Sequence, residues 1–173
     1  MLGIVLSGVV VVTVAAQAPV KGTMPGVLNY AHVETTVACS GAIDPAQAVP
    51  GIKRAGFVSI VNLREATEPG ADVEKEKAAA EAAGLRYFHV PFSGAAPDPK
   101  AADAFLTAIT TPGAEPAFIH CSGGNRAATM WLIKRLVIDH WDEARAIEEA
   151  AGLGQTSTAL RAFALDYART HAR

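Results

Sequence analysis

The sequence predicts a layered α/β domain built on a largely parallel sheet, and three observations lead there. From about Asn29 onward, short runs rich in Val, Ile, Phe and Tyr alternate with helical stretches. The helices are marked at their ends by capping residues as well as by their composition. The chain has 173 residues, which suits one domain with a sizeable core, since domains cluster around roughly 100 to 150 residues. Strands separated by helices form parallel sheets covered by helices, and ligands of such sheets collect at the carboxyl ends of the strands.

The first 18 residues stand apart. MLGIVLSGVVVVTVAAQAPVKG carries no charged side chain before Lys21, and its apolar stretch runs from Leu2 to Ala16. That is short of the roughly 20 residues a membrane span needs. Small residues follow at recognition spacing, either Val14 and Ala16 or Ala16 and Ala18, so residues 1–18 read as a secretory leader and the mature protein as exported, periplasmic or extracellular. An uncleaved anchor or a buried strand are the alternatives; after cleavage no stable membrane association is expected. Residues 19–28, PVKGTMPGVL, read as a linker or first loop. Residues 29–173 are read as one folded domain.

Within that domain HVETTVAC (32–39) alternates as an edge strand would. FVSIVNL (57–63), RYFHVPF (86–92) and AFIHC (117–121) are the clearest strands. Asp72 caps VEKEKAAAEAA and Gly84 closes it, while Asp98 and Pro99 open KAADAFLTAI. AATMWLIKRLVIDH is apolar on nearly all sides in its first half, as a helix packed inside a domain would be. DEARAIEEAAG and STALRAFALDYARTH complete the chain.

Charge excludes some partners. Fifteen Lys and Arg nearly balance 17 Asp and Glu without forming blocks, so nothing points to nucleic acid. Two cysteines make no disulfide framework, although export would place both thiols in an oxidising compartment. His32, His89, His140 and His171 show no metal-ligand spacing with one another or with the cysteines, and no metal or cofactor is expected.

The chemistry concentrates in HCSGGNRA, residues 120–127. A cysteine is a useful nucleophile only as a thiolate, so its surroundings must favour negative charge. A strand-to-helix turn supplies successive backbone N–H groups, the next helix aims its positive dipole end at the loop, and Arg126 adds a fixed charge with forked donors. Gly123 and Gly124 let the backbone curl closely around an anion. Cys121 is the candidate nucleophile. Ser122, Gly123, Gly124, Asn125 and Arg126 are the candidate oxyanion cradle.

This pattern resembles the cysteine-based dual-specificity phosphatases and, more closely, the bacterial phosphatase-like domain family associated with beta-lactamase hydrolase-like proteins. SGAIDP (40–45), GFVSIVNLR (56–64), the strand from Tyr87 to Pro91, and HCSGGNR with Trp131 downstream carry the resemblance, over about residues 29–140. It implies a dual-specificity phosphatase-like three-layer fold: a mostly parallel central sheet flanked by helices. It also implies a phosphoester hydrolase acting through a thiophosphoryl-enzyme intermediate on a small anionic or phosphorylated substrate.

Two features depart from ordinary phosphatases. Those enzymes place five residues between Cys and Arg, whereas this chain has four, the spacing of rhodanese-type sulfurtransferases. Ala127 stands where phosphatases carry a hydroxyl that assists the leaving cysteine. Sulfur transfer through a Cys121 persulfide is therefore the alternative reaction, and a non-catalytic anion or phospho-ligand binding module is a second.

Other candidates have two readings each. Asp98 is either the general acid or the cap of the Pro99 helix. His120 either tunes the thiolate or orients the loop. Asn125 braces the loop or is an exposed turn residue. Arg64 lies near the rim of the site or pairs with Glu65 or Glu68. Cys39 either reaches Cys121 as a disulfide partner or is a buried free thiol. The oligomeric state is left open.

Overall fold

The computed structural model describes residues 17–171. All but the last two residues of the expected leader lie outside them. No described helix is long and apolar enough to cross a membrane.

Six strands form one sheet in the order β1-β2-β3-β6-β4-β5, from β1 (Val20–Lys21), β2 (Ala31–Val33), β3 (Val37–Ser40), β4 (Ser59–Asn62), β5 (Arg86–His89) and β6 (Ala117–His120). β3, β6, β4 and β5 run parallel, and β1 and β2 add an antiparallel ribbon at one edge. Strands β3, β4 and β6 are buried at every position, as expected for parallel strands covered on both faces. One face is covered by α1 (Pro45–Arg54) and α2 (Val73–Ala82), which pack on Ile60 and Phe118. The other carries α3 (Pro99–Ile109), α4 (Asn125–Val137), α5 (Glu143–Gly152) and α6 (Thr158–His171). The expected α/β layers with a mostly parallel sheet are present.

Two local expectations are corrected. Residues 32–39 do not form one edge strand: the chain turns at residues 34–36, with Glu34 in the left-handed region at φ 38°, and returns as β3 inside the sheet. No glycine marks that turn, so the sequence reads through it. Helix α1 was not expected, because Pro50 and Gly51 within it oppose helix formation. It forms because Asp44 accepts the Ala46 N–H (3.1 Å), Pro45 opens the first turn, and Ala48, Val49 and Ile52 bury one face on the sheet.

Helix α4 follows β6 directly, and every residue from Arg126 to Arg135 is buried. It is the central helix of its layer, packed between the sheet and α5 and α6. Its N-terminus therefore cannot move without the core, and that fixes the site.

Candidate functional site

The reactive loop joins the end of β6 to α4. The Gly124 N–H points at Cys121 Sγ, 3.0 Å away, placing a backbone dipole on the sulfur. Gly124 can do this because it adopts φ 102° as the cap of α4, a conformation that side chains resist. The loop's outer side is held by two partners. Ala42 N–H donates to Ser122 O (3.0 Å) and Asn29 Nδ2 donates to Gly123 O (3.0 Å). Gly41 permits the first contact, since a Cβ there would lie 2.9 Å from Ser122 O.

Arg126 is gripped. Its Nη1 and Nη2 donate to Glu68 Oε1 (2.6 Å) and Oε2 (2.9 Å), the bidentate form that fixes a guanidinium plane. Nη1 also reaches Phe92 O (2.7 Å), and Nη2 reaches Ser122 Oγ (3.0 Å). Nε has no partner among the described residues and is left for an anion. Burial works against the charge, but the bonds to Glu68 and the charge of Cys121 outweigh it, raising the Arg126 pKa. The Arg126 bonds lower the Glu68 pKa to about 2, against a smaller opposing effect of burial. Glu68 is thus ionised at any working pH and cannot donate a proton to a leaving group.

Arg64 does not line the anion cradle. It donates to Pro69 O (2.6 Å) and Gly70 O (3.1 Å) and approaches Glu68 (3.4 Å), so it stiffens the loop that carries Glu68. Its ion-pair reading is the one observed. Asp98 is exposed and accepts the Lys100 N–H (2.9 Å) as the cap of α3; it makes no hydrogen bond to the reactive loop. Asn125 braces, but toward another segment: its amide donates to Thr156 Oγ1 (2.6 Å) and its oxygen accepts from the Thr156 and Ser157 N–H groups (both 3.2 Å).

His120 faces away from the cradle. Its Nε2 donates to Glu76 Oε1 (2.7 Å), and Asn62 links that carboxylate to the Tyr87 hydroxyl (3.2 and 2.9 Å). His120 Nδ1 is buried without a partner among the described residues. The network pins the end of β6 to β4 and α2, so the histidine orients the strand beneath Cys121.

Cys39 and Cys121 are both free and buried. Cys39 registers with Ile119, two residues before Cys121. Strand geometry then separates the two Cα atoms by roughly 8 Å, beyond the roughly 7 Å a disulfide spans. Burial, reinforced by the charge of Cys121, pushes the Cys39 thiol well above its ordinary pKa, so it stays protonated.

Sequence reasoning singled out none of Glu68, Asn29 and Glu76 as site residues. Glu68 figured only as an ion-pair partner for Arg64, and Glu76 is hidden in the charged run of α2. Asn29 had one local signal, its left-handed φ of 51°, visible only once the backbone is known.

Residues 29–137 match the family described as beta-lactamase hydrolase-like protein, phosphatase-like domain. The chain belongs to this family. It is 39% identical over 89 residues to a beta-lactamase hydrolase-like protein of Agrobacterium fabrum, covering 49% of this chain and 20% of that one. It is 36% identical over 125 residues to the Xylella fastidiosa protein of the same name, covering 67% of this chain and 28% of that one. The chain thus spans about a quarter of the length of these curated relatives. Among solved structures, TpbA of Pseudomonas aeruginosa superposes with a TM-score of 0.61 at 21% identity, over 83% of this chain and 84% of that one. PTPMT1 does so with a TM-score of 0.64 at 16% identity, over 82% and 94%. The fold is that of the dual-specificity phosphatase-like enzymes.

Proposed function

We propose that this domain is a cysteine-dependent, phosphatase-like hydrolase acting on small phosphoesters. The observation that carries the reading is the joint placement of Cys121 Sγ on the Gly124 N–H and of Arg126 in the Glu68 fork, at the N-terminus of α4. A tetrahedral anion entering there meets the helix dipole, loop amides and Arg126 Nε. In the first step the Cys121 thiolate attacks phosphorus; an S–P bond forms, the ester P–O bond breaks, and the leaving oxygen departs with the electron pair. In the second, water attacks phosphorus, the S–P bond breaks, and phosphate leaves with the thiolate restored. TpbA, which shares this fold, has been solved as a cysteine-to-serine variant in complex with pTyr, which fits such a substrate class.

With Asp98 capping α3 and Glu68 held ionised, neither carboxylate is available to protonate a leaving oxygen, and the described residues around Cys121 offer no other. Such an acid is typically worth about 100- to 10,000-fold. Substrates whose leaving groups depart as stable anions, such as aryl phosphates, are therefore favoured.

The same observation, with the four-residue loop and Ala127, supports a second reading: sulfur transfer. The Cys121 thiolate would attack the outer sulfur of a thiosulfate-like donor, the S–S bond would break, and sulfite would leave with the electron pair. Cyanide or another acceptor would then remove the outer sulfur of the Cys121 persulfide. No leaving-group acid is required.

The test runs both assays on the full chain, with and without Cys121→Ser: phosphate release from phenyl phosphate, and thiocyanate formation from thiosulfate and cyanide. Cys121-dependent phosphate release supports the first reading, and Cys121-dependent thiocyanate alone supports the second. Turnover that survives the substitution overturns both, and no turnover of either substrate leaves the non-catalytic binding module.

A further inference from the structure

A cavity of about 510 Å³ adjoins the reactive loop, and Gly123 and Asn125 line it. Neither Cys121 nor Arg126 does, so it is not the seat of the reacting anion. Its size falls in the range that encloses an organic molecule, far more than one tetrahedral anion fills. Gly123 opens onto free space, with no atom within 4 Å of where its Cβ would stand.

The walls come from two segments far apart in sequence, the arm from Lys21 to Ala31 and the α5–α6 turn from Gly152 to Thr156. Each is bonded to the reactive loop itself. Asn29 ties the first to Gly123 O, and Asn125 ties the second through both ends of its amide. Asn29 adopts a left-handed backbone there, at φ 51°. A molecule in the cavity is thereby held in fixed register with Cys121.

The wall chemistry defines the occupant. Lys21 is the only charged lining residue, exposed and without an ion-pair partner among the described residues. Thr23 and Tyr30 add hydroxyls. The Tyr30 ring is fixed by stacking on His32 (5.2 Å) and Phe118 (6.2 Å), and partial burial raises its pKa, so the hydroxyl remains a donor. Val27 and Leu153 supply apolar surface.

We infer that this cavity is a substrate subsite for the non-reacting part of an organic anion that carries a second acidic group, held by Lys21, beyond the group attacked by Cys121. The inference rests on Cys121 being the reacting group. It explains why the arm and the α5–α6 turn are each bonded to the reactive loop.

The experiment compares kcat/KM for a compact and an acid-bearing member of each substrate class: phenyl phosphate against 4-carboxyphenyl phosphate, and thiosulfate against a carboxylated aryl thiosulfonate. The acid-bearing to compact ratio cancels any loss common to both. It is expected to fall about fivefold in Lys21→Ala and further in Lys21→Glu, chiefly through KM. A ratio unchanged by either substitution overturns the subsite. If neither compact substrate turns over, the catalytic reading fails and the subsite is read alone, by NMR titration of the full-length Cys121→Ser protein with 4-carboxyphenyl phosphate. Shifts at Lys21, Tyr30 and Thr156 that Lys21→Glu abolishes then support it, and their absence overturns it.

Discussion

Helix α4 carries a buried arginine near each end, and each is paired with a glutamate, yet the two do different things. At the C-terminal end each of the three guanidinium nitrogens of Arg135 has an acidic partner. It donates to both oxygens of Glu149 (2.7 and 3.2 Å) and to Asp139 (2.9 Å), between the rings of Trp131 and Trp141. Around it Lys134 and Arg135 pair with Glu115, Asp139 and Glu149, so both cations are matched by carboxylates. At the N-terminal end Arg126 and Arg64 share the single carboxylate of Glu68. One positive charge is left over beside Cys121, where the helix dipole adds to it. A balanced arginine holds a fold together, whereas an unbalanced one has capacity for an anion.

This contrast can be broken from either end. Arg126→Ala is expected to lower kcat/KM about 100- to 1,000-fold, the usual loss when one oxyanion donor is removed, with circular dichroism confirming an intact fold. Arg135→Met should do the opposite. It leaves Glu149 buried without its cation and costs about 3 kcal/mol in a urea melt, while activity per folded molecule is retained.

Smaller changes sharpen the picture. Glu68→Gln keeps the shape of the fork but loses its charge; the expected cost is about tenfold in kcat/KM, equivalent to about 1.4 kcal/mol. The pH dependence follows from the lowered Glu68 pKa. Its folded-state value of about 2 lies below its ordinary 4.5, so its stabilisation is complete above about pH 4.5 and is lost as pH falls toward 2. Melting temperatures of wild type and Glu68→Gln should converge over that interval. The smallest effect is expected for Asp98→Asn, since asparagine caps a helix about as well. Activity should change less than about twofold, whereas a general acid would cost 100-fold or more.

What the sequence reveals depends on how local the cause is. HCSGGNRA could be read because strand, glycines, arginine and helix all fall within a few residues, and each constrains the next. The Asp98 cap was legible for the same reason. Glu68 lies 58 residues from the arginine it grips and Asn29 lies 94 from Gly123, separations that no periodicity encodes. Helix α1 was hidden by Pro50 and Gly51, whose poor propensity is overcome by packing on Ile60 and Phe118. Glu76 was masked by its neighbours. Lys75 and Lys77 make the run look like a solvated face, while Glu76 itself is buried beneath His120.

The central claim is that chemistry at this site passes through a covalent bond to Cys121. Rapid acid quench of the full-length enzyme during turnover, followed by peptide mass spectrometry, tests it directly. The prediction is one adduct on the peptide containing Cys121, a phosphoryl group or a single added sulfur atom according to the substrate, and none on Cys39. Turnover without an adduct, or an adduct that persists in Cys121→Ser, would contradict it.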